Sequence, residues 1–115
     1  MTRPIRPISW IKAAKKDFEG FPTGAQDEFL LALSLVAEGK HPDFAKPLKG
    51  FGSGVLELAL KFRGDAYRVI YALQIADDIW VLHSFQKKSK SGIKTPKSEI
   101  DLINERLKRL KEALK

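Results

Sequence analysis

Cysteine is absent from the 115 residues, which excludes disulfides, thiolate nucleophiles and zinc–thiolate centres. Histidine is scarce, at two residues, so a metal site would lack its usual ligands. The expectation is a protein that needs no metal and no small-molecule cofactor. No apolar run approaches the roughly 20 residues that span a bilayer. The opening Met1-Thr2-Arg3-Pro4-Ile5-Arg6 lacks the apolar core of a secretion signal. A cytoplasmic location without a membrane partner is therefore expected. Lys49-Gly50-Phe51-Gly52-Ser53-Gly54 has glycines but not the spacing of a phosphate-binding loop. Paired carboxylates are missing near the basic residues, which argues against a two-metal nuclease. His83 and Ser84 are neighbours. On a strand they point to opposite faces and cannot act as base and nucleophile.

What is present is positive charge, unevenly spread. The net charge is +7. Residues 1–20 carry five basic and two acidic groups, residues 21–83 six and eight, and residues 84–115 ten and four. The excess sits mainly at the end of the chain. A solvated lysine-rich helix would explain it, and so would a surface for a polyanion such as RNA. The 43% hydrophobic content can fill one modest core, consistent with a single domain over residues 1–115.

The pattern along the chain predicts an α+β domain. Residues 5–10 read as a short edge strand, restricted by Pro4 and Pro7. Residues 11–19 and 23–38 read as helices, the second with Phe29, Leu33, Val36 and Ala37 on one face and Gly39 as its stop. Residues 41–53 read as a loop rich in proline, glycine and lysine. Three strands follow over residues 55–63, 66–74 and 79–85. In the first, Leu56, Leu58, Leu60 and Phe62 alternate with Glu57, Lys61 and Arg63; in the second, Arg68 lies opposite Tyr67, Val69, Tyr71 and Leu73. Gly64-Asp65 and Ala76-Asp77-Asp78 are the reversals between them. After the loop 86–94, Thr95 can cap a last helix with Pro96 at its first position. Ile100, Ile103, Leu107, Leu110 and Leu114 form the apolar stripe of that helix. The expected architecture is a small antiparallel sheet in β-α-α-β-β-β-α order, with the helices packed on one face.

Candidate functional residues follow from charge on that sheet. Lys61, Arg63 and Arg68 project from the face opposite the apolar side chains, and Lys87, Lys88 and Lys90 start where the neighbouring strand ends. Together they can form one basic surface. Arg68 interrupts an apolar strand, so it needs a carboxylate or phosphate partner, and Glu57 on the neighbouring strand is one choice. His83 can be a general acid or base near neutral pH, or a hydrogen-bonded structural residue. Phe85 and Tyr71 can stack on bases or fill core. Trp10 and Trp80 read as core.

The segments Val55-Leu56-Glu57-Leu58, Gly64-Asp65-Ala66-Tyr67-Arg68-Val69-Ile70-Tyr71, Val81-Leu82-His83-Ser84-Phe85-Gln86-Lys87-Lys88-Ser89-Lys90-Ser91-Gly92-Ile93 and Thr95-Pro96 with Glu99-Ile100, in that order, resemble the phage-derived branch of the RelE/HigB toxins. The resemblance implies a RelE-like fold and the toxin of a type II toxin–antitoxin pair, held by a cognate helix-turn-helix antitoxin. It implies ribosome-dependent, metal-independent cleavage of mRNA, in which the ribose 2′-hydroxyl attacks its own phosphate. Carried over, Arg68 contacts the scissile phosphate, Lys87 and Lys88 bind phosphate or protonate the leaving group, and His83 is the histidine before the aromatic. Lys61, Arg63, Phe85 and Lys90 fall to RNA binding. The chain departs from RelE in having no tyrosine after Tyr71, which leaves base stacking to Phe85 or His83. Two other readings use the same surface. One is a non-catalytic nucleic-acid- or protein-binding module of phage origin, the other a structural phage component.

Overall fold

The computed structural model describes residues 5–52, 54–87 and 95–114. The chain runs β1 (Ile8–Trp10), α1 (Lys12–Glu19), α2 (Thr23–Ala37), β2 (Ala45–Pro47), β3 (Val55–Phe62), β4 (Asp65–Ile75), β5 (Asp78–Lys87) and α3 (Lys97–Ala113). The strands form one sheet in the order β1-β5-β4-β3-β2. The α+β class and the helix–helix–meander–helix order are as expected from the sequence. β2 was not expected. It lies inside the segment read as a loop, because Ala45-Lys46-Pro47 is too short to show alternation and Pro47 is tolerated only on an edge. The sheet is also not wholly antiparallel, since β1 pairs parallel to β5. No hairpin joins those two strands, so nothing fixes their relative direction.

The helices do not share one face. Ala14 and Phe18 of α1 and Ala25, Phe29, Ala32, Leu33, Val36 and Ala37 of α2 bury against Leu56, Leu58, Tyr67, Val69, Tyr71, Ile79 and Val81. On the other face Ile103 of α3, with Ile100, Leu107 and Leu110, packs over Val55, Ile70, Ala72, Leu82 and Phe85. The alternation of Glu57, Lys61 and Arg68 hides the reason: that polar row also carries enough apolar residues to demand a cover of its own. Trp10 joins the first layer through Phe18, with ring centroids 5.0 Å apart. Tyr71 is core, and burial raises its phenol to about 12.

The turns set the register. The β3–β4 reversal is centred on Arg63 and Gly64, at φ 52° and 87°. Both are left-handed, the twist a two-residue hairpin needs. Arg63 therefore lies in the turn rather than on the strand face, its guanidinium 5.3 Å from the Phe62 ring centroid. β4 and β5 pair from Ala66↔Lys87 to Ile70↔His83, and then Tyr71 faces Val81. Leu82 is the extra residue of a bulge. It keeps Leu82, His83 and Phe85 all facing α3. The last helix starts one residue later than its sequence signals, with Pro96 as the cap position and no side-chain cap.

Ile103 is fully buried and is the single buried residue of α3. Ile103→Ala is expected to destabilise the protein by about 2–5 kcal/mol. Urea unfolding checks this; a change within 0.5 kcal/mol or so of zero would mean α3 is not anchored there.

Candidate functional site

The strand register lays three rows of side chains across the face that α3 covers. Lys61, Ala66 and Lys87 form the first, Ala59, Arg68 and Phe85 the second, and Glu57, Ile70 and His83 the third. Neighbouring positions in a row are about 4.8 Å apart. Ala59 and Ala66 are small, which leaves Arg68 room to lie diagonally toward Glu57. Its Nη1 donates to Glu57 Oε1 at 2.5 Å. Thr95 Oγ1, just before α3, donates to Glu57 Oε2 at 2.5 Å. Each oxygen of the buried carboxylate thus has a charged or hydroxyl donor.

Lys87 completes this cluster. Its ammonium is held below the ordinary lysine value of 10.5, mainly by burial, then by the charge of Arg68; Glu57 opposes this and Lys46 adds to it. The site therefore holds a carboxylate, a guanidinium and an ammonium with reduced proton affinity. A hollow of about 340 Å³ opens beside Glu57, lined by Lys46, Pro47, Leu48, Lys49, Thr95 and Ile100. Lys46 and Lys49 bring further positive charge to this mouth.

The structure places the sequence-predicted residues unevenly. It brings Arg68, Lys87 and Phe85 together, with exposures of 6%, 8% and 9%, and sets the exposed Lys61 on the same face. Arg63 is exposed, at the hairpin end. Lys88 and Lys90 lie outside the described residues. His83 is 3% exposed. Its Nδ1 sits 3.0 Å from Arg106 Nη1, and that nitrogen also donates to the Leu82 carbonyl. Because Arg106 can only donate, His83 Nδ1 is the acceptor and Nε2 carries the proton. Nε2 faces Glu99 Oε1 at 3.3 Å. The imidazole stacks on Phe85, centroids 5.0 Å apart and planes 21° apart. His83 thus ties β5 to α3 and fixes the Phe85 ring.

Sequence reasoning assigned no function to Glu57, Lys46, Lys49 or Arg106. Glu57 was legible only as a partner for Arg68; its tandem use by Thr95 depends on a contact across 38 positions. Lys46 and Lys49 lay in apparent loop. Among the described residues no group of three or more histidine, aspartate or glutamate side chains converges as metal ligands would. No helix among them is long and apolar enough to cross a membrane.

His83 has a consequence for stability. Burial, the largest influence, holds its pKa below 6.5; Glu99 opposes, Arg106 reinforces and Asp17 opposes. Below pH 6.5 the unfolded chain takes up a proton that the folded one resists, so stability falls as the pH drops through that value. The urea midpoint of the wild type should fall between about pH 7.5 and about pH 5.5 more than that of His83→Gln. Equal falls would show that His83 is as easily protonated folded as unfolded.

The sequence matches the family described as phage-derived protein Gp49-like (DUF891) over residues 16–108. No curated relative matches it. Among solved structures, a mutant of the E. coli toxin RelE in the free state matches with a TM-score of 0.61 at 15% identity, over 91% of this chain and 97% of that one. With the family model matched over residues 16–108 and the RelE structure alike over most of both chains, this chain belongs to the Gp49-like phage-derived family and has the RelE toxin fold.

Proposed function

We propose that this protein is the toxin of a toxin–antitoxin pair and cleaves messenger RNA on the ribosome, without a metal, by attack of a ribose 2′-hydroxyl on the adjacent phosphate. One observation carries the reading: Glu57, Arg68 and Lys87 form a single cluster of a carboxylate, a guanidinium and an ammonium of lowered proton affinity. These are the three groups this reaction needs. Glu57 takes the proton from the 2′-hydroxyl as the O2′–P bond forms. Arg68 binds the charge that builds on the phosphorane oxygens. Lys87 gives its proton to the 5′ oxygen as the P–O5′ bond breaks, leaving a 2′,3′-cyclic phosphate and a 5′-hydroxyl. Lys61 and Arg63, and Lys88 and Lys90 of the following segment, bind flanking phosphates. Phe85, held by His83, offers the face on which an unpaired base can stack.

The role expected of His83 as a proton carrier passes to Glu57 in this reading. Arg106 and Glu99 engage the two imidazole nitrogens, whereas Glu57 borders the open hollow. The likeness to RelE toxin in fold, and the phage-derived family, support a cognate helix-turn-helix antitoxin, a ribosomal target and a cytoplasmic location. A second reading, a non-catalytic binding module, draws on the burial of Arg68 and Lys87, since a purely structural ion pair is also buried.

Variants separate the two. Arg68→Lys keeps the charge beside Glu57 but loses the planar fork. On ribosomes programmed with a defined message it should cut about 10²–10³-fold more slowly than wild type. Lys87 acts in its protonated form, so the wild-type rate should fall as pH rises through a value below 10.5. Lys87→Arg cannot lose its proton, and its alkaline limb should vanish along with most of the rate. No cleavage by the wild type would favour the binding module, and unchanged rates in both variants would remove Arg68 and Lys87 from the chemistry.

A further inference from the structure

Thr95 is the residue that this scheme leaves unused. The sequence offered it as a helix cap, but its side chain caps nothing. Its Oγ1 instead spans from the entrance of α3 to the sheet and donates to Glu57 Oε2 at 2.5 Å. It also lines the hollow through which Glu57 is reached. The donor is a secondary alcohol, as a ribose 2′-hydroxyl is, and it is bonded to the carboxylate that would accept the 2′-hydroxyl proton.

The geometry points to Thr95 as a built-in stand-in for the substrate hydroxyl, holding Glu57 Oε2 until RNA displaces it. This inference rests on the nuclease reading above. Arg68 already occupies Oε1 at 2.5 Å, so a 2′-hydroxyl must compete with Thr95 for the other oxygen. Displacement requires little of the fold. Ile103 is fully buried and Arg106 reaches the Leu82 carbonyl at 3.0 Å, so the middle of α3 is fixed. The stretch ahead of Glu99, which faces His83, is looser, with Lys97 and Ser98 exposed and Thr95 and Pro96 only part-buried. Rotation of the Thr95 side chain, or a small shift of the backbone ahead of Glu99, opens Oε2 while the rest of the helix stays in place. An internal competitor lowers the binding-competent fraction and so raises the apparent KM.

The test is steady-state cleavage on programmed ribosomes by wild type, Thr95→Val, Thr95→Ala and Thr95→Ser, each checked by thermal unfolding. Valine removes the hydroxyl at constant shape; alanine carries the same test should valine disturb the fold. Both are expected to lower KM about tenfold with little change in kcat, the scale of one hydrogen bond to a charged group. Serine keeps a hydroxyl and should keep the wild-type KM. A silent wild type with an active Thr95→Val would be the strongest form of support. A lowered kcat or an unchanged or raised KM in the folded valine and alanine variants would overturn the assignment while the nuclease reading stood. Serine behaving like valine would overturn it too. If wild type and all variants cut nothing, the nuclease reading fails and this inference fails with it.

Discussion

The buried pair of Arg68 and Glu57 is the constraint around which the rest is arranged. Two opposite charges on adjacent strands, both almost wholly out of water, are tolerable only if every lone pair and proton finds a partner. The surrounding residues meet that demand at both oxygens of the carboxylate. Ala59, opposite Arg68, leaves space for the guanidinium, and Thr95 satisfies the second carboxylate oxygen. Removing either charge would strand the other at a cost of about 3–5 kcal/mol. A folded chain does not need so expensive an arrangement on a face that could have been aliphatic. Under the proposed function, the lysine of lowered proton affinity beside it joins the pair in one reactive cluster.

The layering of helices follows from the same face. α1 and α2 cover an apolar face of ordinary kind, rich in stacked rings such as Phe21 against Tyr67 at 4.8 Å. α3 covers a mixed face and so makes polar as well as apolar contacts. Arg106 and Glu99 hold His83, and Ile103 fills the gap between Ile70, Leu82 and Phe85. The Leu82 bulge matters here, since regular alternation carried on from Val81 through Leu82 would point His83 and Phe85 to the other layer. A single inserted residue thereby decides that the aromatic lies next to Arg68.

Much of the fold was legible in the sequence because it was written locally. The stripe of α3, the face of α2 and the alternation of β3 and β4 each repeat with the period of their element. What was missed depended on distant partners. The edge strand Ala45–Pro47 exists only because β3 offers it hydrogen bonds, and the parallel seat of β1 depends on β5. The split of helices between two faces was hidden because Glu57, Lys61 and Arg68 made one face look solvated. The candidate site was half legible. Arg68 and Lys87 stood out as charges in or beside apolar strands, and the pairing of Arg68 with Glu57 was one of two partners considered. The roles of Thr95 and Arg106 were not legible, since Thr95 sits in a good capping signal and Arg106 in a basic helix. Each is explained only by a contact from α3 back to the sheet.

The central claim is that the carboxylate of Glu57, held by Arg68, accepts the proton of a ribose hydroxyl during mRNA cleavage. Mapping RNA ends in cells that express the wild type or Glu57→Gln tests it directly. The account predicts codon-phased cuts ending in 2′,3′-cyclic phosphate in the wild type, reduced about 10²–10⁴-fold in the variant. Cuts that persist undiminished in Glu57→Gln, cuts that end in a free 3′-hydroxyl, or intact messages in both strains would contradict it.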